Sequence, residues 1–273
     1  DHIGPIAKDV DTAALVLDAI AGVDRSDPSS ERSNRLGQSF EAATSDPPGL
    51  GSLSIGLPRE FFDDHVSDGV RDGIDAAVDG IESAGATIEQ LSIPTVEDAV
   101  SISNAIMASE FAATISAGGV PIRRNVPSDI AWQDAFTAAL HTHGHDLGDI
   151  VKRKLIEGTY LLEHHDGRHY VRARAGCQKL RDEFAAAFDE VDVLLTPTLP
   201  VVAPEIGEWS ADTYGETVPI AVNTRPVNLA GLPAVTLPAG TCEGLPVGLQ
   251  IIGPAYEDPR VLAVARAIER DVS

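Results

Sequence analysis

Short apolar runs bounded by Gly and Pro recur along this chain of 273 residues. Runs of about four to eight residues that are rich in β-branched side chains predict buried strands rather than helical turns. They lie at residues 53–57, 191–196, 234–238 and 247–252, whereas residues 86–93 predict a further strand by alternation of apolar and polar positions. Between the last two runs, residues 240–246 have the composition of a hairpin loop.

Longer stretches carry apolar residues at helical spacing. The first begins at Asp9 and ends before Gly22, a residue suited to the end of a helix. Another, opened by Ser67, connects the first two predicted strands, which implies a parallel pair with a right-handed crossover. Further helices are predicted at residues 95–117 behind a capping box of Thr95 and Asp98, from Ser128, at 147–163, at 168–188 and from Asp258.

The order of these elements predicts an α/β fold, with one mixed sheet covered by helices. A helical insert is expected from about residue 95 to 188, within a single domain over residues 1–273. Residues 24–52 are rich in Ser, Asp, Pro and Gly, which predicts an exposed connection.

The charge of the chain narrows the classes of function. Asp and Glu number 42 against 20 Lys and Arg, which gives a net charge of −22 that is scattered along the sequence. Scattered acid predicts a solvated surface suited to a cytoplasm of high salt, and it argues against contact with nucleic acid. No run approaches the roughly 18 apolar residues of a membrane span. Cys177 and Cys242 match no metal or redox spacing, so a cytoplasmic protein without metal or cofactor is expected.

Residues 218–254 contain the most specific motif of the chain. Thr224-x-Pro226-x-Asn228 leads into Gly231-Leu232-Pro233, and Gly244-Leu245-Pro246-x-Gly248-Leu249-Gln250 follows. This order of residues resembles the C-terminal end of the amidase-signature enzymes. The likeness extends to Lys152-Arg153-Lys154 and to the segment from Asp192 to Thr198, so it covers nearly the full chain.

The resemblance implies a hydrolase that converts a carboxamide to an acid and ammonia through an acyl-enzyme. The family uses a Lys, a bridging Ser and a nucleophilic Ser, which lie in Gly/Ser tracts of its first half. This sequence has no such tract, and Lys8 and Ser29-Ser30 stand in different contexts. The chain is therefore expected to be the C-terminal part of an amidase-signature domain. The start at Asp1 without Met agrees with that expectation.

The resemblance also provides candidates for substrate binding, namely Arg153, Thr224 and Asn228, and no catalytic residue. From the residues alone, Asn228 either presents its amide from a rigid loop or only binds the backbone of that loop. The expected partners are a small-molecule amide and an N-terminal half that carries the catalytic residues. Assembly into a homo-oligomer is a further possibility.

Two alternative functions remain. One is the A subunit of a tRNA-dependent glutamine amidotransferase. That protein carries an acidic residue before its Thr-x-Pro-x-Asn segment, where this chain has Ala221. Its Arg pair for the substrate carboxylate appears here as Arg153-Lys154, and Lys does not replace Arg at a bidentate site. The other alternative is a non-catalytic α/β binding module with a self-contained core.

Histidines form two clusters that need a separate interpretation. The alternating His141, His143 and His145 could bind Zn²⁺ or Ni²⁺ if the segment were extended, but its place after a helix favours a polar loop. His164, His165 and His169 are interpreted as part of a solvated turn. No Gly-x-Ser-x-Gly elbow, P-loop or His-Glu-x-x-His motif occurs.

Overall fold

A computed structural model describes residues 3–24, 30, 39–63, 65–119, 129–207 and 220–272. Within these ranges the strands form one five-stranded sheet of order β2-β1-β3-β5-β4. The strands are β1 (Ser54–Pro58), β2 (Thr87–Leu91), β3 (Val193–Pro197), β4 (Ala234–Cys242) and β5 (Leu245–Ile252). The five predicted strands are thus confirmed as parts of a single sheet.

Nine α-helices lie within the same described ranges. They are α1 (Val10–Ile20), α2 (Phe40–Ser45), α3 (Asp68–Ser83), α4 (Ala99–Ser116), α5 (Ile130–His143), α6 (Asp149–Glu163), α7 (Arg168–Phe188), α8 (Thr224–Ala230) and α9 (Asp258–Val272). Short 3₁₀ turns precede or follow several of them, including Arg59–Phe62, Pro94–Val96 and Ile220–Val222.

The sheet is mixed, as predicted. β1 pairs in parallel with β2 and with β3, whereas β5 is antiparallel to both β3 and β4. Helix α3 connects β1 to β2, since parallel neighbours cannot be joined by a tight hairpin. The right hand of this crossover stays a prediction.

Alternating side chains of the central strands divide the core into two layers. Leu195 and Ile251 point to the side of α3 and α9, where they pack in the same cluster as Ile74. Their neighbours Leu194 and Ile252 point to the opposite side and pack with Leu180 and Phe184 of α7. The sheet therefore carries helices on both faces, which explains why its central strands β1, β3 and β5 are apolar runs, whereas the edge strands β2 and β4 are largely exposed.

The predicted helical insert consists of α4 to α7. At Gly158 of α6 the approach to α4 is so close that a side chain would overlap the Ala108 carbonyl oxygen. Helix α5 has no buried residue, and its Trp132 stacks on Phe136 at a ring separation of 5.0 Å. Asp129 caps α5 by accepting the N–H of Ala131 at 2.9 Å, and the predicted start at Ser128 lies outside the described residues.

Three local predictions outside the candidate site were wrong. Thr95 opens no capping box, because its N–H and hydroxyl both donate to the Glu183 carboxylate, at 2.9 and 2.8 Å. Part of the connection 24–52 is buried and not exposed. Helix α2 buries the Phe40 side chain, and the Phe40 N–H donates to Asp18 Oδ1 at 2.8 Å.

The third error concerns the hairpin between β4 and β5. Its loop is only Glu243-Gly244, because the ladder continues to the pair Cys242 and Leu245. Both loop residues have positive φ, 55° and 80°, as a two-residue turn of the primed type requires.

The acidic surface predicts stability that rises with salt. Screening by molar KCl should raise the melting temperature relative to low salt, since mutual repulsion in a chain of charge −22 is then reduced. Sucrose at equal osmolality is the control, because it stabilises folded proteins without screening charge. A melting temperature that stays constant across the KCl series would contradict this expectation.

Candidate functional site

Polar side chains concentrate where the parallel strands end. β1 ends at Pro58 and β3 at Pro197, and both ends lie at the same edge of the sheet because the strands are parallel. Ligand sites of open α/β sheets lie at this carboxyl edge. The candidate site therefore consists of the residues that follow these strands and the segment that packs on them.

Asn223 joins these strand ends. Its side-chain amide, 1% exposed, donates to the carbonyl oxygens of Phe61 at 3.2 Å and Pro197 at 2.9 Å. The two acceptors occupy both N–H groups, so the Asn223 Oδ1 must accept. His65 Nε2 lies 3.3 Å from that oxygen, and its proton must therefore reside on Nε2. The start of α8 is fixed to the sheet edge by this network.

A row of polar residues crosses the antiparallel part of the sheet next to Asn223. Gln250 of β5 lies between Thr196 and Thr236 in the ladder. Its side chain is 4% exposed and donates to Thr196 Oγ1 at 2.9 Å and to the Asn223 carbonyl at 3.4 Å. Each buried amide proton of Gln250 thus has an acceptor. The row orients α8 relative to β5.

One hydroxyl pair of this row reaches the surface. The Oγ1 atoms of Thr198 and Thr236 lie 3.1 Å apart, and Thr236 is exposed on the edge strand β4. Hydroxyls of this kind donate and accept, so they can orient an amide or a carboxylate.

Helix α8 carries two of the predicted binding residues. Thr224 and Asn228 lie one turn apart on it, where Thr224 is half-buried and Asn228 is exposed. The prediction of a loop at residues 228–233 was wrong for residues 228–230, which belong to α8. The helix ends there, and Gly231 follows with φ of 73°. The Thr224 hydroxyl donates to the Ala221 carbonyl at 3.3 Å.

Contacts from the insert hold α8 in place. Arg225 of α8 donates to Asn104 Oδ1 of α4 at 3.2 Å. On α7, Cys177 donates its thiol proton to the Leu229 carbonyl, and Arg181 donates to the Ala230 carbonyl at 3.1 Å. These last carbonyls of a helix need donors from outside it. The sheet edge and the insert thus meet at α8.

Arg153, the third predicted residue, lies elsewhere. It belongs to α6, whose main neighbour is α4, and its Nε lies 4.0 Å from Glu157 Oε1. The structure thus brings Thr224 and Asn228 together and leaves Arg153 on another helix. The Arg153 side chain is about 39% exposed.

Comparison with known proteins identifies the family. A family model described as Amidase matches residues 1–262. The chain belongs to the amidase family. It is 38% identical over 271 residues to the A subunit of the glutamyl-tRNA(Gln) amidotransferase of Natronomonas pharaonis, and 35% identical over 273 residues to the protein of that name from Halobacterium salinarum.

Each match covers 98–99% of the chain but only 62% of the relative, so the chain spans less than two thirds of these relatives. Solved amidase-family structures are similar as well. The corresponding A subunit from Thermotoga maritima matches at 27% identity with a TM-score of 0.71, over 99% of this chain and 52% of that one. A bacterial aryl acylamidase matches at 23% identity with a TM-score of 0.75, over 98% and 52%, and supports the fold alone.

The side chains at the sheet edge of this amidase-family chain can bind and orient a ligand. Among the described residues there, no nucleophile is paired with a base. Amide and hydroxyl groups predominate there, and His65 is hydrogen-bonded to Asn223. Sequence reasoning missed Asn223, Thr196 and His65 as members of one network. A weak signal was available, since Thr196 and Gln250 are polar residues within apolar runs.

The two His clusters remain at the surface of this amidase-family chain. His141 and His143 lie in the last turn of α5. His143 Nδ1 lies 3.3 Å from Asp146 Oδ2, and His145 Nε2 lies 3.2 Å from Asp146 Oδ1. In the part of the chain that the structure describes, no group of three or more His, Cys, Asp or Glu side chains is arranged to hold a metal ion.

Glu60 is a second buried anchor at the carboxyl edge in this member of the amidase family. Burial raises the pKa of its carboxyl, but bonds from the Ser92 hydroxyl, the Ile93 N–H and Arg59 outweigh burial and hold the pKa below its usual range. The carboxylate is 4% exposed and ties the start of the 3₁₀ turn after β1 to the end of β2.

Changing Glu60 to Gln should therefore lower the free energy of unfolding at pH 7 by about 1–3 kcal/mol, since charge-assisted bonds become neutral ones. A lowered folded pKa gives stability that is present above the unfolded pKa and lost as pH falls through the folded value. The gap between variant and parent should thus narrow below about pH 4. Urea unfolding at pH 7 and pH 3.5 measures it, with Glu82→Gln on the exposed side of α3 as control. A gap that widens toward acid would contradict this account.

Proposed function

We propose that this chain forms part of an amidase-signature enzyme that hydrolyses a carboxamide to a carboxylic acid and ammonia through an acyl-enzyme. The observation that carries the proposal is the family match over residues 1–262. The catalytic Lys and both Ser residues are assigned to the portion of the family domain that this chain does not include.

The chemistry divides between the two portions. Hydrolysis of an amide needs a nucleophile, an activating base and donors for the oxyanion in one place. The residues at the carboxyl edge are suited to substrate contact instead. We assign this role to Thr224 and Asn228, with Arg153 for an anionic group of the substrate. Asn223 and Gln250 then act through α8, whose position they fix.

A second candidate is supported by the names of the relatives, which are A subunits of a glutamyl-tRNA(Gln) amidotransferase. In that case the substrate amide is that of glutamine, and further protein chains are required. Two features weigh against it. Ala221, in the 3₁₀ turn before α8, has no carboxylate for the glutamine ammonium group. Lys154, in place of an Arg, is bound to Glu157 at 2.8 Å.

The non-catalytic module is the third candidate. A self-contained module should bury its large apolar side chains. Large apolar side chains of α1 are exposed, Ile20 among them at 58%, which weighs against this candidate. For either enzyme we place the protein in the cytoplasm, with a small amide as ligand. Among the described residues, no helix has the length and apolar composition needed to cross a membrane.

A single-chain fusion tests the function. The portion of the Natronomonas pharaonis relative outside the match is placed ahead of Asp1, in the order that the resemblance implies. Ammonia release is then measured with propionamide, benzamide and glutamine. Release from the simple amides supports the leading proposal, and release from glutamine alone supports the second candidate. A folded fusion that hydrolyses none of the three contradicts the leading proposal.

Within that fusion, a role in substrate contact predicts that Asn228→Ala raises KM at unchanged melting temperature, because the Asn228 side chain is exposed. Gln178→Ala, which removes another exposed amide that bonds only within α7 to Asp182 in the described contacts, is the matched control. Equal KM values for the parent and both variants would show that the Asn228 side chain does not contact the substrate.

A further inference from the structure

A cavity of about 460 Å³ lies between the edge strand β2, the C-terminal end of α7 and the 3₁₀ turn that follows β1. Its volume falls within the range of sites for small molecules, roughly 300–1,000 Å³. The wall includes Arg59, Leu91, Glu183, Ala187 and Glu190. None of the three residues assigned to substrate is among the described residues that line it. The cavity is therefore a second place where this chain can hold a ligand.

Arg59 provides the positive charge of this cavity. Its Nε donates to Glu60 Oε1 at 3.1 Å, and Glu60 is itself fixed by the Ser92 hydroxyl and the Ile93 N–H. The guanidinium is thus held by its inner nitrogen. Within the described ranges its two terminal nitrogens have no hydrogen bond or ion pair, and the side chain is 73% exposed. A guanidinium held in this way can bind a carboxylate through two parallel bonds.

Two carboxylates provide the opposite charge. Glu183 accepts both donors of Thr95 and lies 3.5 Å from Lys179 Nζ, so its charge is largely compensated. Glu190 is exposed just beyond the last turn of α7, and in the part of the chain that the structure describes its carboxylate has no partner. The helix dipole disfavours a carboxylate at this end of a helix, so the stability of α7 does not account for Glu190. Glu190 is therefore the carboxylate that is available to a cation.

The opposite charges of the cavity do not pair with each other. Neither Glu183 nor Glu190 forms an ion pair with Arg59 in the described structure, although all three side chains line the same space. A ligand with one charge would satisfy only one side of the cavity, whereas a zwitterion would satisfy both. Leu91 and Ala187 add an apolar part to the wall, which suits an aliphatic group.

We propose that this cavity binds a free α-amino acid with an aliphatic side chain. Its carboxylate binds the terminal nitrogens of Arg59, and its ammonium group binds the Glu190 carboxylate. Leu91 and Ala187 contact the side chain. The site goes beyond the proposed hydrolysis, because it needs no nucleophile and uses no residue assigned to the amide substrate. Its test therefore measures binding and not ammonia release.

Isothermal titration calorimetry of the 273-residue chain at constant KCl tests the proposal. L-Leucine should bind saturably, with a Kd below about 10 mM. The matched probes are 4-methylpentanoate, which lacks the ammonium group, and 3-methylbutylamine, which lacks the carboxylate. Each should bind at least about tenfold more weakly than leucine, because it leaves one charged wall of the cavity without a partner.

Two variants assign each charge of the ligand to its residue. Glu190→Gln should weaken leucine at least about tenfold and leave 4-methylpentanoate unaffected. Arg59→Gln should weaken leucine and leave 3-methylbutylamine unaffected. The melting temperature of Glu190→Gln should equal that of the parent, because the Glu190 side chain is exposed and unpaired among the described residues. Glu82→Gln, the same change on the exposed side of α3, is the control and should bind leucine as the parent does.

Three results would overturn the proposal. The first is a folded parent chain that shows no saturable binding of leucine. The second is an affinity for 4-methylpentanoate or 3-methylbutylamine equal to that for leucine, which would reduce the cavity to a site for a single charge. The third is an equal affinity for leucine in the parent and in Glu190→Gln, which would place the amino acid elsewhere on the chain.

Discussion

Replacing Leu249 by Asp should lower the free energy of unfolding by about 3–5 kcal/mol, a large share of the total stability of a typical domain. Leu249 is 1% exposed in β5 and stands between Pro197 of β3 and Leu237 of β4. Its side chain belongs to the core layer under α3 and α9, where it packs among apolar side chains. The variant must either bury a charge or take up a proton, and both cost free energy.

Leu245→Asp is the matched control, because it makes the same change in the same strand. Leu245 begins β5 next to the turn and is 37% exposed, so its variant should unfold within about 1 kcal/mol of the parent. Urea unfolding in molar KCl compares the three proteins. If Leu249→Asp and the parent had the same midpoint, β5 would not be central to the sheet.

A similar loss, about 3–5 kcal/mol, is expected for Asn223→Asp. The carbonyl oxygens of Phe61 and Pro197 lie 3.2 and 2.9 Å from the Asn223 amide nitrogen and need donors. A carboxylate offers none and repels both oxygens at a position that is 1% exposed. Among the described residues, His65 Nε2 lies 3.3 Å from the side-chain oxygen at this position, so that one contact is retained.

Asn228→Asp provides the control for the chemical change, since it converts an exposed amide on the same helix to a carboxylate. Its midpoint in urea should lie within about 0.5 kcal/mol of the parent. The two variants have the same net charge, so any difference between them reflects the environment of Asn223. Equal midpoints for both variants would show that the network does not hold α8.

The sheet was predictable because its central strands are buried on both faces, which leaves apolar runs such as residues 191–196 in the sequence, and because the exposed edge strand β2 keeps an alternating pattern. The network of Asn223 was not predictable. Its partners Phe61, His65 and Pro197 lie 162, 158 and 26 positions away, and no local pattern connects them. The motif around Asn228 indicated the right segment but the wrong local structure.

The errors near Asn228 and Thr95 have one physical cause, which is tertiary contact. Helix α8 is too short to be stable alone, and α4 and α7 supply contacts that no local pattern contains. Thr95 has the composition of a helix cap, but Glu183 on α7 competes for both of its donors. In both cases a distant side chain overrides local propensity. The assignments of Arg153, Thr224 and Asn228 to substrate stay predictions.

Ammonia release by the isolated chain of 273 residues tests the central claim most directly. The claim is that this portion of the amidase domain shapes a pocket whose nucleophile lies elsewhere. With propionamide or benzamide, release should not exceed the background of buffer with a heat-denatured sample, although the single-chain fusion is active under the same conditions. Robust turnover by the isolated chain, abolished by changing one of its own Ser or His residues, would contradict the claim.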